Sequence, residues 1–152
     1  MQAVAYVKSV AANVVIGFGG GSSMDVAKLV ALLASPHNSQ TLSEIYRVNN
    51  VRGNRLPLIQ VPTTAGTGSE LTPIAIVTIG NTIKSAIVSE QPLADLALLD
   101  AELTLKLPTT VTAATGIDAM VHAIEAYTSL IKKNPQSDLL AKEAALFNNY
   151  SR

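Results

Sequence analysis

The chain has 152 residues, enough for one domain with a real core, and its formal net charge is zero, with 11 basic and 11 acidic side chains. No basic run suits nucleic acid, no apolar run approaches the roughly 18 residues of a membrane span, and the absence of cysteine excludes disulfides and thiolate metal sites. Charged residues make up only 14%, against about 25% in a typical soluble domain, so much of the surface reads as one normally covered by further protein.

Residues 1–12 carry Val4, Val7 and Val10 at near-helical spacing and predict a helix. They lack the apolar core and small-residue cleavage site of a signal peptide, which together with the missing cysteines points to the cytoplasm. Val14-Val15-Ile16 reads as a buried strand that breaks at the run Gly17-Phe18-Gly19-Gly20-Gly21. Ser22 is the expected cap of the following helix, and Asp25 falls in its first turn, where a carboxylate suits the helix dipole. That helix runs through Val26, Leu29, Val30, Leu32 and Leu33 until Pro36 stops it. Residues 36–56 are polar and irregular, with a short helix expected near 42–46.

A second strand, Leu58-Ile59-Gln60-Val61, runs into Pro62-Thr63-Thr64-Ala65-Gly66-Thr67-Gly68-Ser69-Glu70. Strands at 74–79 and 84–88 are joined by a turn at Gly80-Asn81, and 96–99 reads as a further strand ending at Asp100. From Pro108 the pattern turns helical, with Val111, Ala114, Ile117, Val121, Ile124 and Leu130. The expected division is an α/β part over 1–107 and the first helices of an all-helical part over 108–152.

Three segments carry chemistry. Gly19-Gly20-Gly21-Ser22 lies between a strand and a helix, where glycine lets a phosphate approach the backbone and the helix start offers unpaired N–H groups. It lacks the Gly-x-Gly-x-x-Gly spacing and a P-loop lysine, so a ligand-free turn stays open as a reading. The threonine–glycine loop follows another strand, and its hydroxyls suit a pyrophosphate, a ribose or a carboxamide; a turn that satisfies its own backbone is the bland alternative. Asp118 and His122 stand four residues apart on one helix face, at a spacing that lets a carboxylate oxygen and an imidazole nitrogen share a divalent metal. An intrahelical ion pair explains the same spacing. Glu125 lies near that face, and Gly116 costs the helix about 1 kcal/mol unless close approach requires it. His37, the one other histidine, sits in a polar segment.

Taken together, Gly19-Gly20-Gly21-Ser22-Ser23-Met24-Asp25-Val26-Ala27-Lys28, the stretch from Pro62 to Glu70, and Gly116-Ile117-Asp118-Ala119-Met120-Val121-His122-Ala123-Ile124-Glu125-Ala126-Tyr127 resemble the iron-containing (group III) alcohol dehydrogenases. Asp100-Ala101-Glu102-Leu103-Thr104 with Leu107-Pro108 fits the same family. The resemblance implies a partial Rossmann-like NAD(P)-binding domain followed by the start of an all-helical metal-binding domain, a dehydroquinate synthase-like architecture. It implies that Gly20, Gly21 and Ser22 meet the pyrophosphate of NAD or NADP, that Thr63, Thr64 and Thr67 line the cofactor crevice, and that Lys84 lies near the ribose. It implies Asp118 and His122 as the first two ligands of Fe2+, with Zn2+ or another divalent ion in some members.

The implied reaction passes hydride between a small alcohol, its oxygen on the metal, and the nicotinamide. Full-length members are expected to be homo-oligomers. Such members are well over twice this length and draw two more histidines from later helices, whereas no histidine follows His122 here. The chain is therefore read as a truncated central fragment, with little activity expected of it alone. A nucleotide-binding module without catalysis and an inactive truncated product are the competing readings.

Overall fold

The computed structural model describes residues 2–79, 83–131 and 133–150. These residues divide into two compact units. The first comprises Met1–Thr63 and Ser69–Leu103, the second Thr64–Gly68 and Thr104–Arg152.

The first unit is α/β. Helix α1 (Gln2–Ser9) precedes strand β1 (Val15–Gly19), which feeds helix α2 (Gly21–Ala34). Strands β2 (Arg47–Val48), β3 (Leu58–Pro62), β4 (Ile74–Ile79), β5 (Ile83–Val88) and β6 (Leu96–Ala97) follow. Two sheets form: a parallel one in the order β1-β3-β6 and a mixed one in the order β2-β5-β4. The β1–β3 register runs from Val15 opposite Leu58 to Gly19 opposite Pro62, so both strands end together. Each strand therefore delivers its following loop to the same edge of the sheet.

Helix α2 is the spine of this unit. A helix apolar on all sides is a buried helix, and ten of its residues are buried. Leu29, Leu32 and Leu33 pack with Ile45, Val51, Ala75 and Ile87, while Val4 of α1, Leu42 and Tyr46 close the same cluster. Ala27 and Ala31 pack with Leu58 on the parallel-sheet side. Small residues there let the helix lie close to β1, where a methyl group added to Gly17 would reach 2.8 Å from the Ala27 Cβ. Leu56 N–H donates to the Ala31 carbonyl at 2.9 Å and stitches the entry of β3 to the helix.

Several expectations need amendment. The strand at 14–16 is β1, but only one face of it is covered: Gly17 is buried against α2, while Ile16 and Phe18 are about 60% exposed. Ile16, Ile59 and Leu96 are register partners across that uncovered face. Ser22 does not cap α2. The cap position is Gly20, in extended backbone and with no side-chain bond, because the strand runs directly into the helix. Asp25 is not in the first turn either; it is buried within the unit.

The short helix near 42–46 is a 3-10 turn at Leu42–Glu44, tied by a capping box between Thr41 and Glu44. Strand β2 escapes the sequence reading because it has only two residues, neither of them part of an alternating pattern. The strand at 96–99 shrinks to Leu96–Ala97, paired with β3 alone. The turn at Gly80-Asn81 lies outside the described residues.

The second unit is helical. Helix α3 spans Thr109–Thr128 and helix α4 spans Pro135–Tyr150. The two pack on each other, with Ala123 and Ala141 buried. The end of α3 is closed by the Ser129 N–H, which donates to the Glu125 carbonyl at 2.9 Å, and by Lys133 Nζ, which reaches the Tyr127 carbonyl at 2.5 Å. Lys133 also pairs with Asp138 at the start of α4 and lies 4.8 Å from the Tyr127 ring centroid. One lysine thus ties the interhelix turn on both sides.

Candidate active site

In the first unit the sequence signals converge on the carboxyl ends of β1 and β3. Gly19 closes β1 with φ of 140°, a conformation L side chains avoid, and a Cβ there would meet Ser23 Oγ at 2.7 Å. Gly20 then caps α2 while Gly21 and Ser22 form its first residues. Both Ser23 and Met24 N–H groups turn inward to the Gly20 carbonyl, at 3.0 and 3.1 Å. No side chain caps this terminus, so the helix start keeps its positive field for an external anion. The Thr63 N–H donates to the Gly19 carbonyl at 2.9 Å, which joins the entry of the threonine–glycine loop to the glycine loop. Lys84 lies on β5 of the mixed sheet, exposed, in register with Thr78 of β4.

A buried polar cluster backs this edge, and the sequence reading missed it. Lys28 Nζ is fully buried and lies within hydrogen-bonding distance of Asp25 Oδ1 (3.3 Å), Ser69 Oγ (3.0 Å), Thr72 Oγ1 (3.3 Å) and the Ile74 carbonyl (2.6 Å). Ser69 Oγ donates to Asp25 Oδ1 at 2.7 Å, and the Ile76 N–H donates to Asp25 Oδ2 at 3.1 Å. Burial pushes the Lys28 ammonium below the ordinary lysine range, and the Asp25 carboxylate opposes that shift. A signal was present in the sequence. Asp25 and Lys28, three apart, are the charged residues of a helix that is otherwise apolar or small, a setting that forces a buried pair.

In the second unit, Thr64 and Thr67 belong to the segment Thr64–Gly68. The Thr64 hydroxyl is buried with no hydrogen-bond partner among the described residues. Gly66 has φ of 142°, and a Cβ on it would overlap the Thr115 carbonyl oxygen of α3. This segment therefore lies directly on the helix that carries the acidic and imidazole pair. On α3, His122 Nε2 stands 3.9 Å from Asp118 Oδ1, with the two side chains 52% and 48% exposed. Four-residue spacing does bring the carboxylate and the imidazole together, half open to solvent, where an ion can reach both. Among the described residues no group of three or more histidine, cysteine, aspartate or glutamate side chains gathers to hold a metal. Glu125 and His37 both lie exposed.

The parallel strands, the buried crossover helix and the glycine-bearing helix start define the first unit as a partial Rossmann-like domain. The family model for iron-containing alcohol dehydrogenase matches residues 1–101, and the chain belongs to that family. It is 44% identical over 149 residues to long-chain-alcohol dehydrogenase 1 of Geobacillus thermodenitrificans, a match covering 94% of this chain and 36% of that protein. It is also 44% identical over 138 residues to sulfoacetaldehyde reductase of Bilophila wadsworthia, covering 90% of this chain and 35% of the other.

Among solved structures, sulfoacetaldehyde reductase from Bifidobacterium kashiwanohense in complex with NAD+ superposes with a TM-score of 0.86 at 32% identity, over 97% of this chain and 39% of that one. An iron-containing alcohol dehydrogenase from Thermotoga maritima gives 0.83 at 38% identity, over 94% and 38%. The chain thus spans a little over a third of the length of the relatives it matches.

Proposed function

We propose that this chain carries the pyrophosphate-binding edge and two metal donors of an NAD(P)-dependent dehydrogenase acting on a small alcohol or the corresponding aldehyde. The observation that carries the reading is the Asp118–His122 pair, 3.9 Å apart and half exposed on α3, in a chain of the iron-containing family. Its neighbour in fold space bound to NAD+ supports NAD as the nucleotide. On this reading residues 1–107 are the cofactor domain and 108–152 the start of the metal domain.

The residues present fit both groups. For the nucleotide, the uncapped start of α2 offers N–H groups at Gly21 and Ser22, and the Ser22 hydroxyl is exposed beside them. The lone Thr64 hydroxyl is a buried donor waiting for an acceptor, and burying it unpaired costs about 1–3 kcal/mol. Thr63 and Thr67 extend that hydroxyl-bearing segment, and the Lys84 ammonium suits a ribose hydroxyl. For the metal, one carboxylate oxygen and one imidazole nitrogen accept Fe2+, and Zn2+ equally well. When bound, the metal supplies a Lewis acid for the substrate oxygen and the nicotinamide supplies the hydride acceptor. The chain's own part is to orient: the helix dipole and backbone N–H groups hold the pyrophosphate, and Asp118 and His122 hold the ion on a rigid helix.

The 3.9 Å separation also permits a plain intrahelical contact, and under that alternative the chain is a nucleotide-binding module without chemistry. Calorimetric titration with Fe2+ under anaerobic conditions, or with Zn2+, separates the two. Under the dehydrogenase reading the chain binds the ion. Asp118→Ala and His122→Ala each weaken binding by at least the roughly tenfold that loss of an outer-shell partner costs elsewhere. Unchanged binding in both variants excludes the metal assignment. Titration with NADH, followed by nucleotide fluorescence, tests the cofactor edge separately.

A further inference from the structure

We propose that Asp25 and Lys28 are positioning residues that set the span of the threonine–glycine loop by clamping its exit through Ser69. The inference rests on the cofactor reading given above and deepens it. The loop leaves the α/β unit at Thr63 and re-enters it at Ser69. Its entry is pinned by the Thr63 N–H on the Gly19 carbonyl at 2.9 Å. Its exit is pinned by Ser69 Oγ, which donates to Asp25 Oδ1 at 2.7 Å and accepts from Lys28 Nζ at 3.0 Å. Both pins are rooted in the same short stretch of chain: Gly19 ends β1, and Asp25 and Lys28 sit on the first two turns of α2. The loop ends are thus referenced to the helix start that would meet a pyrophosphate.

The rest of the cluster makes the clamp rigid. Lys28 Nζ also meets Thr72 Oγ1 and the Ile74 carbonyl, and Asp25 Oδ2 accepts the Ile76 N–H, so the turn after Ser69 and the first residues of β4 are held together. Glu70 also acts on Lys28 through its charge. A buried pair is costly to form and gives little net stability when replaced by apolar side chains of like volume. Here each ion also meets partners beyond the other ion, and those partners belong to the loop exit and β4. The cluster's return is therefore geometric rather than energetic.

That distinction sets the experiment. Lys28→Met alone strands the Asp25 carboxylate and lowers the melting temperature. The double variant Asp25→Leu with Lys28→Met removes both charges, and its melt returns toward that of the parent. Ser69→Ala keeps the ion pair and removes only the clamp. Positioning predicts that the double variant and Ser69→Ala each melt cooperatively yet bind NADH about tenfold or more weakly. It also predicts faster amide exchange across residues 63–70 in both variants, measured without nucleotide.

Parent-like exchange in 63–70, or parent-like NADH affinity in a double variant with a restored melt, overturns the proposal. If the parent chain itself fails to bind NADH, the cofactor reading falls, while the exchange data still decide whether the clamp exists. If the double variant does not fold, Ser69→Ala carries both measurements.

Discussion

Single side chains do unequal work here, and their burial decides which. Arg55 is mostly buried and forks across Asp95, with Nη1 2.6 Å from Oδ2 and Nη2 2.9 Å from Oδ1, while Nε donates to the Gln91 and Leu93 carbonyls. Asp95 in turn accepts the Leu58 N–H at 2.7 Å, so the pair fastens the approach to β6 onto the start of β3. The Arg55 hydrogen bond holds the Asp95 carboxyl below its ordinary range. A carboxyl whose folded pKa lies below the unfolded value of about 3.9 binds fewer protons folded than unfolded. Its stabilising contribution is therefore complete above roughly pH 4 and disappears as the pH falls through the depressed folded value.

Chemical denaturation from pH 7 down to pH 3 should show Asp95→Asn with a shallower acid limb than the parent. The Asp95 side chain is 57% exposed, and solvent screening keeps the effect to about 1 kcal/mol or less. An acid limb identical in both proteins would remove the pair from the stability account. At this scale the sequence named Asp118 and His122 correctly as helix neighbours, because four residues on a helix fix a shared face whatever surrounds it. It misplaced Asp25 because the choice between a dipole partner and a buried ion depends on what lies across from the helix.

Among the elements, α2 governs the first unit. It is wedged between the β2-β5-β4 sheet and the β1-β3-β6 sheet, with leucines toward one and alanines toward the other. The alanine side tolerates no growth. A Cβ on Gly17 would collide with the Gln60 amide and reach within 2.8 Å of Ala27. Gly17→Ala should destabilise the chain by about 1–3 kcal/mol, read as a lower denaturant midpoint with an unchanged slope. A midpoint equal to the parent's would mean that β1 shifts away from α2 at no cost.

Elements long enough for periodicity to speak, such as α2, β3, β4 and α3, were legible in the residues. Each carries an apolar repeat that is local, although α3 leaves most of its own exposed. The two-residue strands β2 and β6 have no repeat to read; they exist because β5 and β3 present unpaired edges to them. The cap of α2 was misread for a related reason. Ser22 looks like a cap, but a strand that enters the helix through Gly20 leaves the serine two residues past the cap position.

For the whole molecule, the uncovered surfaces matter most. Ile16, Phe18 and Leu96 expose apolar area on one face of the parallel sheet, and Ile117, Val121, Ile124, Leu139 and Leu140 do so on the helices. The low charge content noted in the sequence corresponds to these faces. With two candidate metal donors and no larger ligand cluster among the described residues, a resident ion would be weakly held. The purified chain, given NAD, a primary alcohol and added Fe2+ or Zn2+, is therefore expected to produce no steady NADH. Sustained alcohol-dependent absorbance at the NADH band would show that the chain completes its site by other means.

By itself the amino-acid order settled the strand–helix alternation, the placing of the glycine loop and the threonine–glycine loop each after a strand, and the shared face of Asp118 and His122. Each of these rests on local spacing, which the chain carries with it. Only the tertiary structure decided that Gly20 rather than Ser22 caps the helix, that Asp25 and Lys28 turn inward to clamp Ser69, and that one face of β1 stays bare. Those outcomes depend on which distant segment arrives opposite a given residue, and a buried charge finds its partner 41 residues away, beyond the reach of any local pattern.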